Sequence, residues 1–470
     1  MMKLYLNIKK TIKDEIYHMR SIKTLDDFFN YFNLEKLSKI SVILLMIWSL
    51  IPVLLMFLSL FYDHSSFFSF MFNSSRLAII WSMMMKQIGY IGFIMVILLI
   101  IKSLRNKKIN HISFKTYILS HSVEILLIIF LGWSLITTLF SDNLSISFNG
   151  TDYRKDGWLS YLAYGGFYGL GLMLVKKKHF MKYMSSLVVV GSLLSLFLII
   201  GNEQLNELLT FHYKSTVFYN PNHMGYYLVL IILSAAYLAI INPKINIAKI
   251  IWYSLFSILV VALIENGSFG SYIAVSFGLL FLLVMTFLMK KNKLIHAISI
   301  SFLFVGITFI MNIESQFLSQ ETNHLSEDVV DIIENNENAG SAGSGRWDLW
   351  INGLNFMIEK PIFGYGIENL EQAYLDVGIS QDRPHNELIQ IGASIGVIGL
   401  LIYMAALAFH FCEFLRLKNK LPFYTIGLFM VVFGYLVSTL FGNSMFYTTP
   451  FFMIIFGISR GHFKLENNQM

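Results

Sequence analysis

One cysteine, Cys412, in 470 residues leaves no internal disulfide and no thiolate set for a metal cluster. Seven prolines are few for this length, so long helices can run unbroken. Charged residues are scarce, at 14% of the chain. The first apolar run is preceded by polar and charged residues 1–38, so no signal peptide is expected there. What abounds is apolar: 56% of the residues are hydrophobic and the mean hydropathy is +0.61. Those values predict an all-α polytopic membrane protein.

Apolar runs long enough to cross a bilayer fall at 39–61, 78–101, 117–140, 158–175, 183–200, 223–241, 250–265, 271–289, 294–312, 386–412, 422–440 and 447–460. Twelve spans place both termini on one side. Basic residues test that arrangement. Of the 35 Lys and Arg, 27 lie in segments on the terminal side. Seven lie opposite (Arg76, Arg154, Lys155, Lys214, Arg346, Lys360 and Arg383), and Lys86 falls inside a span. The net charge of +6 therefore marks a cytoplasmic face and not a nucleic-acid surface. The expected order is a partly amphipathic cytoplasmic segment 1–38, helices 1–9 within 39–312, an extracytoplasmic loop 313–385, helices 10–12 within 386–460, and a cytoplasmic tail 461–470. The leading segment mixes Lys with Ile, Phe and Tyr, as an interfacial helix on anionic lipid does.

The outer loop from Asn312 to Pro384 far exceeds a simple connection. Its first half, "ESQFLSQETNHLSEDVVDIIENNENAGSAGSG", is acidic and reads as weakly structured. The second half has helical spacing, with Trp347, Trp350, Leu354 and Ile358 on one stripe, until Pro361 ends it. Four outer-face stretches carry polar chemistry. In "NGTDYRKDGW", Arg154 sits just ahead of a span. In "GSGRWDLW", Arg346 opens a helix, where the macrodipole normally favours acids. In "DRPHNELIQIGASIG", Pro384 suits the first helical position, putting His385 and Asn386 in the opening turn. In "TVFYNPNHMG", Asn220 and Asn222 flank Pro221 at a helix entry.

A cation at a helix start is reasonable where an anion also binds, because unpaired N–H groups and guanidinium then share one ligand. Taken singly, each residue has a plainer reading. Arg346 pairs with Asp348 or a loop acid, Arg154 is a basic residue at a membrane edge, and His385 is satisfied by water. Glu387 caps its span or bonds within the site. Trp158, Trp347 and Tyr365 read as packing residues before sugar platforms.

Together, "GSGRWDLW", "EKPIFGYG" and "RPHNELIQIGASIG" resemble the bacterial O-antigen ligase and O-antigen (capsular polysaccharide) polymerase family. They match its SGR-x-x-x-W start and its P-x-x-G-x-G turn, and follow its H-N-x-x-L with a glycine beyond, except that Ile389 stands at the leucine position. "GTDYRKDGW" and "FYNPN" are similar to its other outer-loop pieces, and the first hundred residues carry none of its signatures. The resemblance implies a GT-C-type membrane glycosyltransferase independent of metals and cofactors. Its donor would be a glycan on undecaprenyl diphosphate and its acceptor a glycan or lipid-linked hydroxyl, at the outer face of the bacterial cytoplasmic membrane. By motif, His385 and Arg346 are implied as catalytic, and Arg154, Asn386, Asn220 and Asn222 as substrate-binding. Membrane lipid and other polysaccharide-assembly proteins complete the implied partners.

The chemistry of the residues agrees with that implication. A diphosphate leaves as a stabilised anion, so positive charge is the main requirement. A histidine can take the acceptor's proton. A polymerase extending lipid-linked repeat units and a ligase moving finished glycan to a lipid core, wall polymer or protein share these signatures. Richness in Lys, Asn, Ile and Phe suggests an AT-rich genome and tilts the expectation to polymerase. A lipid-linked oligosaccharide transporter is expected to hold ionisable groups near the midplane, and only Lys86, Glu124 and His121 are candidates.

Overall fold

A computed structural model describes residues 17–59, 74–105, 120–201, 216–241, 246–334 and 339–468, with residues 13, 15, 214 and 336 between them. Residues 1–12, 14 and 16 of the leading segment expected at the membrane surface lie outside these residues. The part described includes helix α1 (Leu25–Tyr31), where Thr24 and Asp27 form a capping box.

All twelve apolar runs fold as helices. They are α2 (Leu34–Ser59), α3 (Ser74–Arg105), α4 (Ser122–Leu139), α6 (Trp158–Leu172), α7 (Lys177–Ile199), α8 (Pro221–Ile241), α9 (Ile247–Asn266), α10 (Phe269–Met289), α11 (Lys291–Ser315), α15 (Glu387–Leu417), α16 (Phe423–Ser438) and α17 (Thr449–Asn468). Between them lie the short α5 (Leu144–Asn149) and three loop helices, α12 (Phe317–Glu334), α13 (Arg346–Glu359) and α14 (Leu370–Asp376). Among the described residues ten helices are long and apolar enough to cross a membrane; α6 and α17 are the two apolar runs that do not qualify.

Those two helices pack on each other, and α6 also lies against α3. Small residues permit this. A Cβ on Gly166 would sit 1.7 Å from the Gly89 carbonyl oxygen, and one on Gly171 would sit 2.1 Å from that of Ile454. Helix α17 runs past the expected span end because its charges are paired inside the bundle. Arg460 Nε and Lys464 Nζ lie 3.1 and 3.0 Å from Glu124 Oε1, and Arg460 also pairs with Glu413. Glu124 therefore sits in an ion-pair network rather than alone at mid-span. Helix α8 is central: 94% of its apolar window is buried.

The outer loop differs from expectation in two ways. Its acidic half contains an 18-residue helix, α12, with no buried residue. Leu325, Val329 and Ile333 recur on one side of it, so periodicity outweighed polarity. Helix α13 is rotated from the expected stripe. It buries Leu349, Gly353 and Phe356, while Leu354 is 43% and Ile358 78% exposed. Gly353 explains the rotation: a Cβ there would be 2.6 Å from Ile389, so α13 docks on α15 through its smallest residue.

Candidate active site

Three helix starts, α8, α13 and α15, meet at one end of the bundle with the loop 150–157 and the segment 439–449. Asn386 caps α15: its Oδ1 accepts from the N–H groups of Leu388 and Ile389 at 3.0 and 3.2 Å. Its Nδ2 donates to the Leu440 carbonyl at 3.1 Å. The helix thus begins at Glu387, three residues later than Pro384 suggested. His385 lies outside it, in the left-handed region with φ +52°. A bulky residue held there is strained, and the surrounding contacts must fix it.

Glu387 does not cap the helix. Its two oxygens accept from the Ser444 N–H at 2.5 Å and the Ser444 hydroxyl at 2.6 Å, tying the segment 439–449 to α15.

Arg154 is 9% exposed. Its Nε and Nη2 each donate at 2.6 Å to one oxygen of Asp382, and Nη1 reaches Met445 Sδ at 3.4 Å. Burial alone would lower its pKa, but the Asp382 pair outweighs burial and raises it. Arg383, which carried no expected role, is 2% exposed. It pairs with Glu368, lies 3.4 Å from Asp156 Oδ2, and donates to the Ser444 carbonyl at 2.9 Å. Burial pulls the Arg383 pKa down and pushes Asp156 up to about 6, the latter opposed by Arg383. Glu368 also accepts from Thr151 N–H and Oγ1 at 3.3 and 3.2 Å, so Arg383 and Glu368 join the loop 150–157 to the long outer loop.

Arg346 is the first residue of α13, after Gly345 with φ +80°. Its Nη1 donates to the Gly343 carbonyl at 3.3 Å. Unlike Arg154 and Arg383, it forms no ion pair with a carboxylate among the described residues, Asp348 included. Arg346 and His385 nevertheless share the site. Burial, then the positive charges of Arg154, Arg346 and Arg383, lower the His385 pKa to about 4, with Asp382 opposing. His385 is therefore a neutral imidazole near pH 7.

Asn220 and Asn222 serve the entry of α8. Asn220 Oδ1 accepts from Asn222 N–H at 2.8 Å, and Asn222 Oδ1 accepts from the Ser268 hydroxyl at 3.2 Å. Of the expected site residues, the structure brings Arg154, Arg346 and His385 into one electrostatic neighbourhood. It engages the side chains of Asn386, Asn220 and Asn222 in helix entries.

Sequence reasoning missed His223, Asp382, Glu368 and the segment 439–449. His223 stood inside a quoted stretch, one residue past Asn222. The segment 439–449 has no motif to mark it.

Two cavities flank the site. An apolar groove of about 960 Å³ runs between α4, α6, α15 and α17, with Glu387 and Ser444 at the site end and Glu124 on its lining. A wider cleft of about 1430 Å³, lined by Asp142, Glu359, Glu371, Asp376 and Tyr365, opens beneath the loop helices.

Residues 253–404 match the family model described as O-antigen ligase. That region contains Arg346 and His385 but neither Arg154, Asn220 nor Asn222. A Rickettsia conorii protein named "Putative polysaccharide ligase" is 30% identical over 88 residues, 16% of this chain and 21% of that protein. An uncharacterized Haemophilus influenzae protein is 23% identical over 150 residues, 29% of this chain and 37% of that protein. The chain thus spans well under two thirds of each of these relatives.

Proposed function

We propose that this protein is a membrane glycosyltransferase that moves a glycan from a polyprenyl diphosphate to an acceptor hydroxyl. The observation carrying this reading is Arg346, a guanidinium without a carboxylate partner among the described residues, in one electrostatic neighbourhood with Arg154 and the neutral imidazole of His385; an apolar groove reaches Glu387, two residues from His385. A lipid diphosphate has the matching parts: an apolar tail for the groove and two phosphoryl groups for the cations.

In the reaction the acceptor oxygen attacks the anomeric carbon and forms the new glycosidic bond. The bond from that carbon to the phosphate oxygen breaks, and its electron pair leaves with the diphosphate. Arg346 stabilises that growing charge. The acceptor's proton passes to His385, whose low basicity rises when the diphosphate's negative charge enters beside it. Arginines supply the positive charge, so no metal is required. Since 27 of the 35 basic residues fall in the sequence segments expected on the side of the termini, we read the site as facing the outside of the cytoplasmic membrane, with both termini inside.

The preferred reaction is polymerisation of lipid-linked repeat units of a surface polysaccharide. The family description and the printed name of the Rickettsia relative favour a ligase instead. Purified protein in lipid nanodiscs, given undecaprenyl-diphosphate repeat units alone, separates the two. A ladder of longer lipid-linked products identifies a polymerase. Inertness relieved by a second acceptor identifies a ligase, and inertness with every acceptor overturns the glycosyltransferase reading.

A further inference from the structure

His223, in the first turn of α8, is 8% exposed, and its Nδ1 has no hydrogen-bond partner. Its ring is bracketed by two aromatic rings, Tyr226 and Tyr447, each with its centroid 6.0 Å away. Tyr226 in turn donates to the Phe441 carbonyl at 2.8 Å, which fixes α8 against the segment 439–449. The ring is therefore held in place, while its buried polar atom is left unsatisfied. Such an atom costs stability unless something absent from the folded chain completes it.

The surroundings select what that partner is. The charged or chargeable groups acting on His223 are the cations Arg154 and Arg383, with the neutral ring of His385 beside them. The start of α8 adds the positive end of a helix dipole. A positive potential around an imidazole disfavours its protonation and disfavours a cationic ligand. It favours an anionic oxygen that accepts from the one N–H of a neutral ring. A water could fill the position, but it would leave the potential uncompensated.

We propose that His223 donates a hydrogen bond to a phosphate oxygen of the lipid diphosphate, forming with Arg154 and Arg346 a three-point cradle. This rests on the glycosyltransferase reading and deepens it: the donor's phosphates are gripped from the α8 side as well as by the arginines. His223 is a donor-binding residue, distinct from His385, which receives the acceptor's proton.

The test uses full-length protein in detergent with farnesyl diphosphate as the probe, and two variants. His223→Phe keeps the ring between Tyr226 and Tyr447 but removes both nitrogens, and His223→Gln keeps a neutral N–H donor. Loss of one hydrogen bond to a charged group should raise the Kd of His223→Phe about tenfold or more, with His223→Gln within about threefold of wild type. With ¹⁵N-histidine labelling, the wild-type resonance absent from His223→Gln should shift when the probe is added, a readout that does not require His223→Phe to fold. Unchanged affinity in His223→Phe, or a His223 resonance indifferent to the probe, overturns the proposal. If wild-type protein fails to bind the probe at all, the glycosyltransferase reading itself falls, and the cradle with it.

Discussion

Arg154 and Asp382 form a two-point ion pair, each carboxylate oxygen 2.6 Å from a guanidinium nitrogen. The two residues lie in separate outer loops, 228 residues apart in sequence, and on the proposed function the carboxylate holds a position that a phosphate oxygen would take. Asp382 thus stands in for an anion and orients the arginine at the same time. It also opposes the depression of the His385 pKa.

Asp382→Asn should therefore separate binding from turnover. With the competing charge removed, the KM for the lipid diphosphate should fall about three- to tenfold. With His385 made still less basic, kcat should fall. The Arg154 side chain, 11% exposed in the pair, would lose its charge partner, lowering stability by about 1–3 kcal/mol. Steady-state kinetics and thermal unfolding of one purified variant check all three. A rise in KM would show that Asp382 supports donor binding instead.

Arg346→Ala should abolish long-chain glycan while stability changes by no more than about 0.5 kcal/mol, because the side chain is half-buried and bonds only the Gly343 carbonyl. Arg346→Lys should restore part of the activity, since charge returns without the two-pronged geometry. Gel analysis of the glycan in cells, beside a membrane-insertion control, reads the outcome. Wild-type chain lengths in Arg346→Ala would remove the residue from the chemistry.

His385 gives two pH-dependent expectations. Its pKa is about 4 in the fold against an ordinary 6.5. The folded protein thus binds fewer protons than the unfolded chain between those values. The stability contribution is fully present above pH 6.5 and is lost as pH falls toward 4. Thermal unfolding from pH 7 to 4 should therefore show wild type losing stability relative to His385→Gln. In kinetics, the acid limb of kcat/KM should lie near pH 4–5, and that of kcat higher, because the bound diphosphate raises the base's pKa. Coincident limbs would dissociate His385 from the donor's charge.

Most of the membrane helices were legible because apolar length decides them, and apart from α17, which runs eight residues past its expected end, their ends moved by six residues or fewer. Arg346 and His385 were legible because each sits in a short motif at a helix start. Their neighbours were not. The Arg154–Asp382 pair and the Arg154–Met445 contact join positions 228 and 291 residues apart, and neither position has a local pattern that points to the other. The orientation of α13 was misread for a similar reason. Its apolar stripe is real, but the docking face was chosen by Gly353, whose lack of a side chain gives no signal in a hydropathy pattern.

The last prediction concerns the motif glycines, which act on the site through the backbone. Helix α15 is broken at Gly396, with φ +83° and ψ +165°. The segment 361–366 lies along the break. Val397 N–H donates to the Pro361 carbonyl at 2.8 Å, and the N–H groups of Tyr365 and Gly366 donate to Ala393 and Ser394 carbonyls at 2.9 and 2.8 Å. These bonds replace helical ones that the break removes, and they set the distance between the end of α13 and the start of α15, hence between Arg346 and His385. A Cβ on Gly396 would lie 2.0 Å from the Ile362 carbonyl oxygen, with a backbone conformation that alanine resists. Gly396→Ala should cost about 2–4 kcal/mol and lower activity even in the fraction that folds. Gly132→Ala in α4, where nothing lies within 4 Å of the added carbon, is the matched control and should be neutral or slightly stabilising. Thermal unfolding in detergent ranks the two, and equal melting temperatures would mean that the break in α15 is not needed to hold the two motifs together.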